Sequence, residues 1–126
     1  MHRSRLGGVI IECRTDNLDA AADFWSAALG LDRRVSDAPE DEGYVLLANG
    51  PGGLDVEVQQ VTHDSRVHID IETDDVAAEA RRLEALGAKR VLAQHDWIVM
   101  EAPTGQRFCV VPASSATFAA DANVWL

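Results

Sequence analysis

The sequence predicts an α+β fold built from two tandem βαβββ modules, and three observations support this prediction. First, the segment at residues 9–18 recurs at residues 67–76, an offset of 58, with Val, Ile, Thr and Asp in matching places. Second, each copy continues into an alanine-rich stretch of helical period that ends in Leu-Gly. Third, three short segments typical of β-strands follow each Leu-Gly pair. We therefore expect one domain over residues 1–126.

The elements of each module follow from local patterns. Residues 8–14 and 66–72 are rich in β-branched residues and predict the first strands. Both strands end at Thr-Asp, where an Asp or Asn side chain can cap a helix. The remaining strands are expected at about 31–36, 43–49 and 53–60, and at about 89–94, 97–102 and 106–112. The sequence thus predicts module one at about 7–60, module two at about 66–112 and a tail at 113–126.

Each predicted helix has one apolar face. With a period of 3.6 residues, the faces consist of Leu18, Ala21, Ala22, Trp25, Ala28 and Leu29 in the first helix and of Val76, Ala80, Leu83 and Leu86 in the second. Gly30 and Gly87 follow where a left-handed C-terminal cap is needed. The tail has no counterpart in module one, yet it ends in Val124, Trp125 and Leu126, so we expect it to pack on this chain or on a partner chain.

Composition and charge exclude several functional classes. The formal net charge of -10 and the absence of a basic stripe disfavour nucleic-acid binding. No apolar run approaches the roughly 18 residues of a membrane span, and no signal-peptide pattern follows the first residues. Cys13 and Cys109 match no zinc-ribbon spacing, as expected of reduced thiols. We therefore expect a cytoplasmic protein that binds neither nucleic acid nor membranes.

Three segments resemble the vicinal oxygen chelate superfamily, which includes glyoxalase I, bleomycin-resistance proteins and extradiol dioxygenases. Residues 17–31 are similar to its acid-to-FY-x-x-x-LG signature, and residues 67–71 lead to a second Leu-Gly. Residues 100–110 are similar to its DPxGNxFxx ending, with Ala102 in place of the acid. The resemblance covers about residues 7–112 and is nearest to the small glyoxalase-like proteins. It implies curved mixed sheets around a cavity that binds a small molecule.

The resemblance also implies four metal-ligand positions. Metal-dependent members place a His on the first strand and a Glu on the last strand of each module, which corresponds here to Ile10, Glu57, His68 and Cys109. Ile10 cannot coordinate an ion, so only Glu57 and His68 match the pattern, and Cys109 is a candidate third ligand. A nitrogen, oxygen and sulfur donor set suits Zn²⁺ better than Mg²⁺ or Mn²⁺.

Three alternatives to this metal site stay open. Cys109 could be a small buried apolar residue, since it lies between Phe108 and Val110. His68 could be a buried imidazole that pairs with Glu57. The same pair could also act as a general acid and base without a metal.

Strand alternation predicts further polar residues on the cavity side. Glu12 and Arg14 share the face of Ile10, whereas Ile11 and Cys13 face the helix. The last strand of module one has a matching polar face, formed by Asp55, Glu57 and Gln59. A salt bridge from Arg14 to Glu12 or to Glu72 is the alternative to ligand contact. Two polar strand faces favour a small polar or charged ligand.

The sequence therefore predicts a glyoxalase-like protein that binds a small molecule. We expect His68 and Glu57 as the catalytic pair, with ligand contacts from Glu12, Arg14, Gln59, Cys109, Trp97 and Tyr44. Packing is the alternative for both aromatic residues. If the protein is an enzyme, the resemblance implies a lyase, isomerase or dioxygenase, and Zn²⁺ is a candidate cofactor.

Two other functions are compatible with the sequence. One is a non-catalytic protein that sequesters a ligand or drug, as bleomycin-resistance proteins do. The other is an interaction module whose cavity is filled by side chains. Because members of this fold commonly associate, we also expect a homodimer, with Trp125 as a candidate contact.

Overall fold

The computed structural model describes residues 1–36 and 38–126, which adopt the predicted α+β fold. The α-helices are α1 (Leu18–Leu29), α2 (Val76–Ala85) and α3 (Phe118–Asp121). The strands are β1 (His2–Arg14), β2 (Arg33–Arg34), β3 (Tyr44–Leu47), β4 (Asp55–Val61), β5 (Arg66–Thr73), β6 (Lys89–Gln94), β7 (Trp97–Glu101), β8 (Arg107–Pro112) and β9 (Asn123–Trp125). Within the described ranges, none of these helices has the length and apolar character of a membrane span.

The described chain forms two compact units with the same strand order. The first unit is Val9–Val67, and the second consists of Met1–Gly8 together with His68–Leu126. The first unit has the order β2-β3-β4-β1, and the second has β6-β7-β8-β5. In both units, therefore, the first strand of the βαβββ sequence lies beside the last strand, as expected from the sequence repeat. In the second unit this pair, β5 and β8, is parallel.

Each unit has its own hydrophobic core beneath its helix. The core of the first unit consists of Ile11, Leu47, Val56 and Val58, with Leu18, Ala21 and Trp25 of α1 packed against it. The core of the second unit consists of Ala80 and Leu83 of α2 with Met100, Phe108 and Val110. The predicted helix faces are wrong at their ends, where Ala28, Leu29 and Leu86 are exposed because α1 ends at Leu29 and Leu86 follows the last residue of α2.

The predicted caps begin both long helices. The side chain of Asn17 accepts a hydrogen bond of 3.0 Å from the backbone N–H of Ala20. Asp75 accepts the equivalent bond from Ala78, also at 3.0 Å. Gly30 adopts the left-handed conformation with φ +68°, which a glycine adopts without steric strain.

β1 and β2 differ most in length from their predictions. β1 begins at His2, before the predicted start, because its first residues pair with β9 at the other end of the chain. β2 contains only Arg33 and Arg34, since just these two residues pair with β3 and Val35 is 93% exposed.

The tail folds back onto its own chain. In antiparallel register, His2 pairs with Trp125 and Ser4 with Asn123. The indole N–H of Trp125 donates a hydrogen bond of 2.8 Å to the hydroxyl of Ser4. The guanidinium of Arg82 lies 3.8 Å from the centre of the Trp125 ring, a cation–π contact. Trp125, the predicted dimer contact, is therefore engaged within the chain.

A fully buried carboxylate on α2 supports this junction of the two termini. Glu79 is 0% exposed. Its oxygens lie 2.8 Å from the Nε2 atom of His2 and accept a hydrogen bond of 2.7 Å from Ser4. Both Nε and Nη2 of Arg82 donate to it at 2.8 Å. No sequence pattern predicted a partner for His2, because Glu79 lies 77 residues further along the chain.

Candidate functional site

The second unit gathers an imidazole, a carboxylate and a thiol on one face of its sheet. His68 and Asp70 are two residues apart on β5 and so point to the same face. Cys109 on β8 lies directly beside Asp70 in the parallel register. Its neighbours Phe108 and Val110 pack into the core, so the thiol points to the opposite face.

The donor atoms of these three residues converge. His68 Nε2 lies 3.4 Å from Asp70 Oδ1 and 3.9 Å from Cys109 Sγ, and all three donor atoms lie within 4.8 Å of one another. The His68 and Asp70 side chains are only 13% and 16% exposed. A distance of 3.4 Å exceeds the usual N–H···O range. Moreover, both partners approach the same ring nitrogen, which carries at most one proton, so a Cys–His–Asp relay through the two ring nitrogens does not fit this arrangement.

The same three donors fit a zinc ion. In a tetrahedral zinc site, the bonds are about 2.0–2.1 Å to N and O and about 2.3 Å to S. With these bond lengths, the N and O ligands lie about 3.3 Å apart and the N and S ligands about 3.6 Å apart. The observed separations of 3.4 and 3.9 Å are a few tenths of an ångström longer. These two separations therefore suit a divalent ion after a small contraction, and the third, between Asp70 and Cys109, is at most 4.8 Å.

Asp70 was not predicted as a site residue, although the sequence contains a signal for it. It follows His68 at the i+2 position, and strand alternation places such a pair on one face. The prediction considered the positions implied by the family resemblance, and Asp70 is not among them.

The predicted residues Glu57, Gln59 and Tyr44 lie on β3 and β4 of the first unit. Gln59 is opposite Tyr44, and Glu57 is opposite Leu46. The side-chain oxygen of Gln59 is buried and accepts no hydrogen bond from the described residues. A buried acceptor without a donor is unfavourable, so a ligand N–H or O–H would stabilise it.

The salt bridge of Arg14 has a partner other than Glu12 and Glu72, the two that the sequence offered as the alternative to ligand contact. Arg14 pairs instead with Asp64, 2.9 Å away in the β4–β5 turn. Glu12, only 5% exposed, accepts a hydrogen bond of 3.1 Å from Arg66. Sequence reasoning had no means of choosing these turn residues, because the turn conformation determines which side chains reach β1.

Glu72 has different partners. It accepts hydrogen bonds from Arg5 at 2.8 Å and from Ser115 at 2.9 Å.

Trp97 and the two cysteines occupy distinct environments. Trp97 begins β7 and contacts His95 across the hairpin, with 4.9 Å between the ring centres. Cys13 packs against the core of the first unit, where burial raises the pKa of its thiol and a hydrogen bond with Trp25 offsets part of the rise. The thiol of Cys109, by contrast, lies beside the imidazole of His68, which argues against the alternative that Cys109 is a small buried apolar residue.

A comparison with protein families identifies one match. A family model described as a glyoxalase-like domain matches residues 9–111. No curated protein matches the sequence.

Solved structures share the fold at low sequence identity. Methylmalonyl-CoA epimerase from Mycobacterium tuberculosis is 17% identical over 90% of this chain and 91% of its own, with a TM-score of 0.65. A hypothetical protein from Bacillus halodurans is 10% identical over 89% and 96%, also with a TM-score of 0.65. A Streptomyces coelicolor methylmalonyl-CoA epimerase variant in complex with 2-nitronate-propionyl-CoA is 18% identical over 86% and 98%, with a TM-score of 0.59.

Proposed function

Because the chain belongs to the glyoxalase-like domain family of the vicinal oxygen chelate superfamily, we propose that it binds a small polar molecule at a metal centre and acts as an isomerase-type enzyme. The observation that supports this proposal is the convergence of the donor atoms of His68, Asp70 and Cys109. Asp70 is a donor that the predicted set of Glu57, His68 and Cys109 did not include.

In this proposal the three side chains hold a divalent ion, and their N, O and S donors favour Zn²⁺. Such an ion, when bound, polarises a carbonyl oxygen of the ligand. Glu57 of the first unit stays a predicted ligand and catalytic carboxylate, and the side-chain oxygen of Gln59, also in the first unit, is a candidate acceptor for a hydrogen bond from a ligand. The epimerases with this fold include one in complex with methylmalonyl-CoA, which supports a carbonyl-containing ligand class.

The remaining predicted contacts belong to the same proposal. Glu12, Arg14, Tyr44 and Trp97 stay candidate ligand contacts. The division into two modules within one domain and a cytoplasmic location also stay predictions. A homodimer is supported by Leu6 and Ile69 of the second unit, which are 53% and 43% exposed although apolar. Sedimentation velocity of the full chain tests the dimer.

Cobalt substitution tests the metal centre without an activity assay. Chelator-treated protein is titrated with Co²⁺, and we expect one equivalent to bind with the near-ultraviolet charge-transfer band of a cobalt–thiolate bond. Cys109→Ser should abolish that band, and His68→Ala should abolish stoichiometric binding. Cys13→Ser is the matched control, because Cys13 lies in the core of the first unit and should leave the band unchanged.

Two outcomes would contradict the metal centre: no stoichiometric binding, or a band that survives Cys109→Ser. Ligand capture by a protein that binds no metal would instead match the ligand-sequestering alternative.

A further inference from the structure

Of the three convergent donors in the second unit, Cys109 is the one that a mild oxidant converts to another chemical form. Its thiol lies on the sheet face opposite the core residues Phe108 and Val110, and it is free and partly exposed. A peroxide oxidises such a thiol reversibly to a sulfenic acid. The same side chain is therefore both a candidate metal ligand and a candidate site of reversible modification.

Cys13 of the first unit is an internal comparison for this reactivity. It packs against the apolar core of its unit, and burial raises the pKa of its thiol. Because the thiolate is the reactive form, a raised pKa slows the oxidation of Cys13. Cys109 lies instead beside the polar side chains of His68 and Asp70. We therefore expect a peroxide to modify Cys109 before Cys13.

Oxidation of Cys109 would remove one donor from a set that has none to spare. The donor atoms of His68, Asp70 and Cys109 lie within 4.8 Å of one another, so an oxygen bonded to Sγ would occupy the space that an ion needs to contact all three. Catalytic zinc sites use three protein ligands, and His68 with Asp70 would supply only two.

The expected effect on metal affinity is large. Loss of a residue that only supports a metal ligand weakens binding by about 10–100-fold. Loss of a ligand itself should therefore raise the dissociation constant for zinc by at least about a hundredfold.

We propose that Cys109 is a redox modification site and that its oxidation by a hydroperoxide reversibly abolishes metal binding. This proposal rests on the metal centre proposed above, and it adds a means of regulating that centre.

The oxidation is balanced with hydrogen peroxide as the oxidant. The sulfur of the metal-free thiol attacks one peroxide oxygen, so that an S–O bond forms as the O–O bond breaks. The departing hydroxide takes up the thiol proton and becomes water. Sulfur is oxidised and the peroxide is reduced.

Two molecules of an external thiol reverse the modification. The first forms a mixed disulfide with Cys109 and releases water. The second takes the first into an external disulfide and returns Cys109 to its thiol.

The test uses the zinc-free full chain, treated with a small excess of hydrogen peroxide. One portion is trapped with dimedone, which labels sulfenic acids, and the labelled cysteine is identified by peptide mass spectrometry. A second portion is titrated with zinc against a chromophoric chelator, before and after dithiothreitol.

We expect dimedone to label Cys109 several times faster than Cys13. Zinc affinity should fall by at least about a hundredfold after peroxide, and dithiothreitol should restore it. Circular dichroism should stay unchanged, so that the loss of affinity reflects the metal centre and not unfolding. Zinc added before the peroxide should slow the labelling of Cys109 but not that of Cys13, because only Cys109 is a donor of the centre.

Two variants separate the cysteines. Cys13→Ser is the matched control, and it should lose and recover zinc affinity as the wild type does. Cys109→Asp replaces the thiol with a carboxylate donor that a peroxide does not oxidise, so it should bind zinc and keep its affinity after treatment.

The outcomes distinguish this proposal from the metal centre on which it rests. If the untreated protein binds no zinc, the metal centre fails, and its redox control fails with it. If the protein binds zinc but keeps its affinity while Cys109 is oxidised, only the redox control is overturned. Labelling of Cys13 ahead of Cys109 would also overturn it.

Discussion

Replacing Glu79 with Gln measures how much one buried carboxylate stabilises the junction between the two ends of the chain. Glu79 accepts a hydrogen bond from Ser4, contacts the His2 imidazole, and forms two charged hydrogen bonds with Arg82, all at 2.7–2.8 Å. Gln has nearly the same shape, but it has no charge and replaces one acceptor oxygen with an NH₂ donor. That donor would face the hydroxyl or guanidinium donors that Glu79 now accepts.

The expected loss follows from the burial of this ion pair. Removal of one member of a buried pair destabilises a protein by about 3–5 kcal/mol. Arg82 is 25% exposed and keeps some contact with water, so the lower end of that range applies, about 3 kcal/mol. For a chain of 126 residues, each kcal/mol lowers the melting temperature by about 3–5 °C, which gives a decrease of about 10 °C.

Urea unfolding followed by tryptophan fluorescence measures this change, since Trp125 lies against Arg82. Glu84→Gln is the control, because the Glu84–Arg90 ion pair is about 40% exposed on both sides and should contribute less than about 1 kcal/mol. If Glu79→Gln were no more destabilising than Glu84→Gln, the reasoning from burial would be refuted.

Two further predictions concern the same unit. Gly7→Ala should destabilise the fold by about 1–3 kcal/mol, because the added Cβ would lie 2.7 Å from Glu72 Cγ. Thermal denaturation measures this loss. Gly50→Ala is the control and should have almost no effect, because the nearest atom to its added Cβ would be 3.5 Å away. The second prediction concerns pH: burial raises the pKa of the Glu79 carboxyl, but hydrogen bonds from Arg82, His2 and Ser4 outweigh it and hold the pKa below its ordinary value of 4.5. The ionised carboxylate therefore stabilises the fold above that value, and this contribution is lost as the pH falls below it, so wild-type stability should fall more steeply with acid than that of Glu79→Gln. Parallel urea-midpoint curves for the two proteins would contradict this.

The sequence was sufficient to predict the α+β class and the elements because the repeat gives the same evidence twice. Residues 66–72 and 89–94 were predicted as strands, and β5 and β6 occupy Arg66–Thr73 and Lys89–Gln94. The length of β1 was not predictable, because its first residues are ordered by β9, more than a hundred residues away. The local sequence pattern indicates whether a segment forms a helix or a strand, whereas pairing with distant strands determines where a strand begins and ends.

The site was less predictable than the fold for a related reason. The resemblance implied Cys109 as a candidate beside His68, and Asp70 follows from alternation once His68 is chosen. The partners of Arg14 and Glu12 do not follow, because Asp64 lies in the β4–β5 turn and Arg66 directly follows it, and no periodicity describes the backbone path of that turn. Residues on regular strands could be placed from sequence, and residues in turns could not.

Positions that the repeat makes equivalent in the two units have different chemical surroundings. The offset of 58 relates Ile10 to His68 and Glu12 to Asp70. Both positions 12 and 70 carry a carboxylate, but Glu12 accepts a hydrogen bond from the Arg66 guanidinium, whereas Asp70 lies 3.4 Å from an imidazole. A metal cation would be repelled by the Arg66 guanidinium beside Glu12 and attracted by the donor set around Asp70. The same strand position thus forms an ion pair within the protein in one unit and belongs to a set of candidate metal donors in the other, so the duplicated positions have diverged in chemistry while keeping a carboxylate.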